Sequence, residues 1–91
     1  MESVYLKNQF QNLTQLIRLD LNGNRLNSLP HGLFDDLINL KELRLNTNNL
    51  TLLPKGIFNN LNQLIYIDLS FNNLTYLNDD LLSNSNKIQY F

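Results

Sequence analysis

The sequence predicts a solenoid, α/β by convention. It is a right-handed coil whose short strands form one parallel sheet on a concave side and whose return segments are mostly irregular on the convex side. Three observations carry this. Of 91 residues, 22 are Leu and 17 are Asn, with no Ala, Cys or Trp, a bias far outside ordinary globular usage. The same Leu and Asn positions recur at an offset of 24 residues. Within each recurrence the apolar residues alternate over a short stretch, which is the two-residue period of a strand with one buried face.

The first full unit runs Leu16-x-x-Leu19-x-Leu21-x-x-Asn24-x-Leu26-x-x-Leu29-Pro30-x-Gly32-x-Phe34-x-x-Leu37. The second repeats it at Leu40, Leu43, Leu45, Asn48, Leu50, Leu53, Pro54, Gly56, Phe58 and Leu61. The third has Leu64, Ile67, Leu69, Asn72, Leu74 and Leu77, then Leu82 in the phenylalanine position. Tyr5, Phe10 and Leu13 keep the phase of a preceding unit, and Ile88 and Phe91 open a following one. The whole of 1–91 thus reads as one array segment, with repeats at 16–39, 40–63 and 64–87, partial repeats at 1–15 and 88–91, and no polar capping pattern at either end.

LxxLxLxxNxL followed by xLPxGxFxxL resembles the leucine-rich repeat in its 24-residue typical form. The resemblance covers nearly the whole chain. It implies kinship with the ectodomains of Toll-like receptors, Slit-type proteins and small proteoglycans, and with their use as recognition modules.

Elementary chemistry accounts for each part of the unit. One coil cannot bury its own leucines, so coils must stack, and strands joined by long crossovers pair in parallel. Asn24, Asn48 and Asn72 fall where the chain leaves the strand. A carboxamide there offers two donors and an acceptor to backbone groups that would otherwise be buried unpaired, at a cost of about 1–3 kcal/mol each. Phe34 and Phe58, with Phe10 and Leu82, should stack as a spine under the convex wall. Pro30 and Pro54 remove a backbone donor, and Gly32 and Gly56 admit unusual dihedrals, so the return segment should not be a helix. The third unit has Asn78 and Asp80 at those places, and a helical turn around Asp79–Ser83 is expected instead.

Equal positions on neighbouring strands stand about 4.8 Å apart, so the concave surface can be written as columns. One column is Arg18, Glu42, Tyr66, Tyr90, and the next is Asp20, Arg44, Asp68. Beyond the strands come Asn22, Asn46, Ser70 and then Gly23, Thr47, Phe71. Charges alternate in sign along both charged columns. Arg18 should pair with Glu42, and Arg44 lies between Asp20 and Asp68. Such pairs hold a solvated sheet, and the same residues present a mixed-charge surface to a protein ligand. Tyr66, Tyr90 and Phe71 add an aromatic patch of the kind that anchors interfaces.

Three tripeptides match the N-glycosylation sequon, at Asn12, Asn49 and Asn73. Each is expected to face water. His31 is the only histidine and has no triad partners at a recognisable spacing. The Asp35–Asp36 and Asp79–Asp80 pairs read as turn acids without the alternating oxygen ligands of a calcium loop. The three glycines are too dispersed to cradle a phosphate. No catalytic residue, cofactor site or metal site is expected. A net charge of −1 presents no basic field to nucleic acid. No apolar run is long enough to cross a bilayer, and the N-terminus lacks the apolar region of a signal peptide.

The function expected is that of a protein-binding recognition module, a fragment of an extracellular ectodomain of the innate immune receptor or adhesion type. The alternatives are a substrate-selecting array in an intracellular or microbial effector, which would be cytoplasmic, and a segment that self-associates head to tail or by swapping through uncapped coils.

Overall fold

The computed structural model describes Leu6, residues 8–75 and the strand at 89–90. Four short strands follow one another: β1 (Arg18–Asp20), β2 (Glu42–Arg44), β3 (Tyr66–Asp68) and β4 (Gln89–Tyr90). They form a single parallel sheet in the order β1-β2-β3-β4. The architecture is the solenoid that the period demands, each strand being one coil's contribution to a shared wall. The expected helical turn around Asp79–Ser83, the Asp79–Asp80 pair, Leu82, Tyr5, Ile88 and Phe91 lie outside the described residues.

Register follows the repeat through the first three strands. Leu19 stands opposite Leu43, and Leu43 opposite Ile67. These residues alternate with Arg18, Asp20, Glu42, Arg44, Tyr66 and Asp68, so one face of the sheet is apolar and the other polar. The fourth strand departs from the count. Gln89 pairs with Tyr66, and Tyr90 pairs with Ile67. Tyr90 therefore does not continue the Arg18–Glu42–Tyr66 column; Gln89 takes that place, and Tyr90 stands in register with the Leu19–Leu43–Ile67 row. The third unit lacks the Pro-x-Gly return of its predecessors and is one residue shorter between strands.

The core is a column of leucines inside the coil. Leu40, Leu43 and Leu45 of the second coil are fully buried, whereas their counterparts Leu16, Leu19 and Leu21 in the first are only partly so. Phe34 and Phe58 are buried under the convex wall, with ring centroids 6.0 Å apart and planes 16° from parallel. Phe10 extends the stack at 6.3 Å from Phe34 and 17°.

No helix occurs among the described residues. The convex return is a run of tight turns, each closed by a backbone bond from residue i+3 to residue i. In the second coil Ile57 donates to Pro54, Asn59 to Gly56, Leu61 to Phe58 and Leu64 to Leu61. The same four bonds recur in the first coil from Pro30 and in the preceding segment from Leu6. Gly32 and Gly56 lie at φ 76° and 74°, and Asn8 at the equivalent place lies at 61°. This is the left-handed region that Gly enters freely and Asn tolerates.

Candidate functional site

The polar face of the sheet is built by a small departure from regular strand geometry. The carbonyl of Ile17 accepts hydrogen bonds from both Lys41 N (2.7 Å) and Glu42 N (3.2 Å), and that of Lys41 accepts from both Ile65 N and Tyr66 N. The doubled acceptance departs from a regular ladder, and the residue just ahead of each of the first three strands is exposed. Ile17 and Ile65 are 45% and 49% exposed, flanking an exposed Lys41. The columns read from sequence omitted this row. Its signal was isoleucine at a variable position of LxxLxL.

Glu42 sits at the centre of the ion pairs. Its Oε1 lies 3.4 Å from Arg18 Nε and 3.7 Å from an Arg44 guanidinium nitrogen. Arg44 therefore turns toward Glu42 and Tyr66, although it stands between Asp20 and Asp68 in register. Its guanidinium carbon lies 4.7 Å from the Tyr66 ring centroid, and a guanidinium N–H donates to the Tyr66 hydroxyl at 3.2 Å. A guanidinium gains from both an aromatic face and a carboxylate.

The two aspartates act locally. Asp20 Oδ1 accepts from the backbone N–H and the side-chain Nδ2 of Asn22, at 3.0 and 2.7 Å. Asp68 Oδ1 accepts from the backbone N–H and hydroxyl of Ser70, at 3.0 and 2.6 Å. Each carboxylate thus closes an Asx-type turn at the strand's end. Partial burial pushes the Asp68 carboxyl up. The Ser70 hydroxyl and backbone N–H, the Arg44 charge and the Tyr66 hydroxyl outweigh it and hold the group below the ordinary carboxylate value. The middle coil has Arg44 in that place and no such turn. There Asn46 Oδ1 is buried with no hydrogen-bond partner among the described residues.

Past the strands, the column Gly23, Thr47, Phe71 lies in the left-handed region at φ 68°, 60° and 57°. Only the first is glycine. Phe71 stands out from this turn 82% exposed, next in sequence to the Asp68–Ser70 turn. Beneath the turn lies the Asn row. Asn48 is 7% exposed; its Oδ1 accepts from Asn24 N and Leu26 N, and its Nδ2 donates to the carbonyls of Leu21, Leu45 and Asn46. Asn72 accepts from Leu50 N and donates to Leu45, Leu69 and Ser70 carbonyls. Asn24 is exposed and donates to Leu21 O.

The sequon residues Asn12, Asn49 and Asn73 are all exposed, and Asn49 and Asn73 share one repeat position. His31 and Asp35 are exposed on the convex side, whereas Asp36 Oδ2 accepts from Asn12 N at 2.8 Å and ties two coils together. Among the described residues no three His, Cys, Asp or Glu side chains gather as metal ligands, and no helix is long and apolar enough to cross a membrane.

A family model described as "Leucine rich repeat" matches residues 7–50 and 38–91. The leucine-rich repeat domain of APL1B is similar over 99% of this chain at 30% identity and a TM-score of 0.90, with 27% of that chain covered. A structure of the TLR13–ssRNA13 complex is similar over 94% of this chain at 32% identity and a TM-score of 0.85, with 12% of that chain covered. The chain thus spans about a quarter or less of the length of these two structural relatives. No curated protein matches it.

Proposed function

We propose, from the premise that the chain belongs to the leucine-rich-repeat family, that its 91 residues are one array segment of an extracellular ectodomain whose concave sheet binds another protein. Domains of this family are typically binding modules without enzymatic activity. The observation that carries the reading is Phe71, a large aromatic ring 82% exposed at the rim of a face that also presents Tyr66, Arg18, Asp20, Glu42, Arg44 and Asp68. Exposed aromatics beside paired charges are the residue types that anchor protein interfaces. An RNA partner belongs to the TLR13 complex by its own description. Here the charged columns alternate in sign, which does not suit a phosphate backbone.

The extracellular assignment is supported by similarity to these two proteins and by the exposure of all three sequon residues, Asn12, Asn49 and Asn73. It also bears on the immune or adhesion class of the parent, which is part of the same proposal.

Two measurements test the reading. The chain, expressed through a eukaryotic secretory pathway, should gain glycosidase-sensitive mass at one or more sequons; a secreted product of unmodified mass counts against the extracellular assignment. An array of purified extracellular proteins probed with the chain should yield binding that is lost on Phe71→Ser with Tyr66→Ser. A convex control, His31→Ala with Lys55→Ala, should leave that binding intact. Binding that ignores the concave pair but follows the convex one would refute the assignment of the face.

A further inference from the structure

The chain contains a single Asn-Gly dipeptide, Asn22–Gly23, and the fold sets it just past β1, the first of the described strands of the sheet. Both residues are exposed, and a side chain built on Gly23 would meet no atom within 4 Å. No side chain from elsewhere in the chain crowds the space beside Gly23. The strand end of the coil that carries the pair is also less covered than that of the coil after it. Among the described residues β1 pairs with β2 alone, and Leu19 and Leu21 are partly exposed where Leu43 is fully buried and Leu45 likewise. One inter-coil bond restrains the nitrogen, donated from Gly23 N to Asn46 O at 3.2 Å. On a less covered coil, opening of such a bond is inexpensive.

We propose that Asn22 is a site of spontaneous deamidation, built into the rim of the concave face. The Gly23 amide nitrogen, giving up its proton to solvent base, attacks Asn22 Cγ. The new N–Cγ bond forms as Cγ–Nδ2 breaks, and the side-chain nitrogen leaves as ammonia. Water then opens the resulting five-membered imide at either carbonyl. Opening at the main-chain carbonyl gives an isoaspartyl linkage, and opening at Cγ gives aspartate. The net reaction consumes one water and releases one ammonia, with no change in oxidation state. The product loses the Nδ2–H that Asn22 donates to Asp20 Oδ1 at 2.7 Å, and two carboxylates then face each other where a hydrogen bond stood. The column of Asn22, Asn46 and Ser70 gains a negative charge beside Asp20, and the isoaspartyl form also lengthens the backbone beside Gly23.

The repeat supplies an internal control. Asn46–Thr47 occupies the same position one coil inward, with Thr47 at φ 60°, but the attacking nitrogen there belongs to a β-branched residue on a coil packed on both sides. The test is to hold the intact chain in mildly alkaline buffer and follow peptide masses over time. Asn22 should gain about 1 Da at least about tenfold faster than Asn46, a barrier difference of about 1.4 kcal/mol, yielding both aspartyl and isoaspartyl products. Conversion should slow in mildly acidic buffer. Because Gly23→Ala strains a left-handed backbone, the decisive variant is Thr47→Gly, which writes a second Asn-Gly into a backbone already suited to glycine. Asn46 in that variant should convert more slowly than Asn22. Equal rates at Asn22 and Asn46 in the unaltered chain would overturn the proposal. Equal rates in Thr47→Gly would overturn the role given to the less covered coil.

Discussion

Asn24 and Asn48 occupy the same place in successive coils, yet their surroundings differ sharply. Asn48 is buried and serves five backbone groups, of its own coil and of the one before it. Asn24 donates to one carbonyl and meets water. Removing a buried carboxamide strands its partners, at about 1–3 kcal/mol for each group left unpaired. Asn48→Ala should therefore cost about 3 kcal/mol or more, and Asn24→Ala below about 1 kcal/mol, as read from urea midpoints at constant slope. A second residue-scale expectation concerns acid. Asp68 titrates lower in the folded chain than in an unfolded one, because the Ser70, Arg44 and Tyr66 contacts outweigh its partial burial. It adds stability above the ordinary carboxylate value of about 3.9, and that contribution is lost as pH falls through the folded value. Asp68→Asn should lower stability near neutrality and flatten the decline in acid. An acid limb unchanged by the substitution would show that the contacts do not persist in solution.

At the scale of elements, what repeats is a coil, and each coil is stabilised by its neighbours. Three-residue strands such as β2 are too short to stand alone, and the turns of the convex return bury nothing by themselves. The phenylalanine stack links the returns. Phe34 touches rings on both sides, whereas Phe10 has one described ring neighbour. Phe34→Ala should therefore cost about 3–5 kcal/mol, and Phe10→Ala clearly less, since it is only partly buried. Equal losses in chemical denaturation would mean that the spine is not a cooperative feature. The Phe and Asn rows were legible because each needs one residue type at one position. The ion pairs were only partly so. Register places Arg44 beside two aspartates, but a long guanidinium chooses among all neighbours in reach, and Glu42 with the Tyr66 ring proved nearer.

For the whole molecule, the same stacking argument applies to its outermost described coil. Leu13 is 45% exposed, while Leu37 and Leu61 at its repeat position are fully buried. Leu16, Leu19 and Leu21 are likewise less covered than the residues one coil inward. This surface continues an interface already formed between coils, and we propose that copies of the chain associate through it. Sedimentation velocity should show a concentration-dependent rise in mean mass, reduced by Leu13→Ser. A single monomer boundary over a wide concentration range would dismiss the idea.

The 24-residue repeat established the coil, the parallel sheet, the inward leucines and the stacked phenylalanines, because a periodic chain can satisfy its apolar residues in only one stacked arrangement. Position within the stack lay beyond its reach. That Asn48 is sealed while Asn24 is exposed, that Gln89 rather than Tyr90 is in register with Tyr66, that isoleucines emerge ahead of the strands and that the Asp68 carboxyl is held below its ordinary value all depend on which coils lie on either side and on how side chains share space there. Periodicity assigns every unit the same environment; burial and hydrogen bonding depend on neighbours, and neighbours differ from one coil to the next.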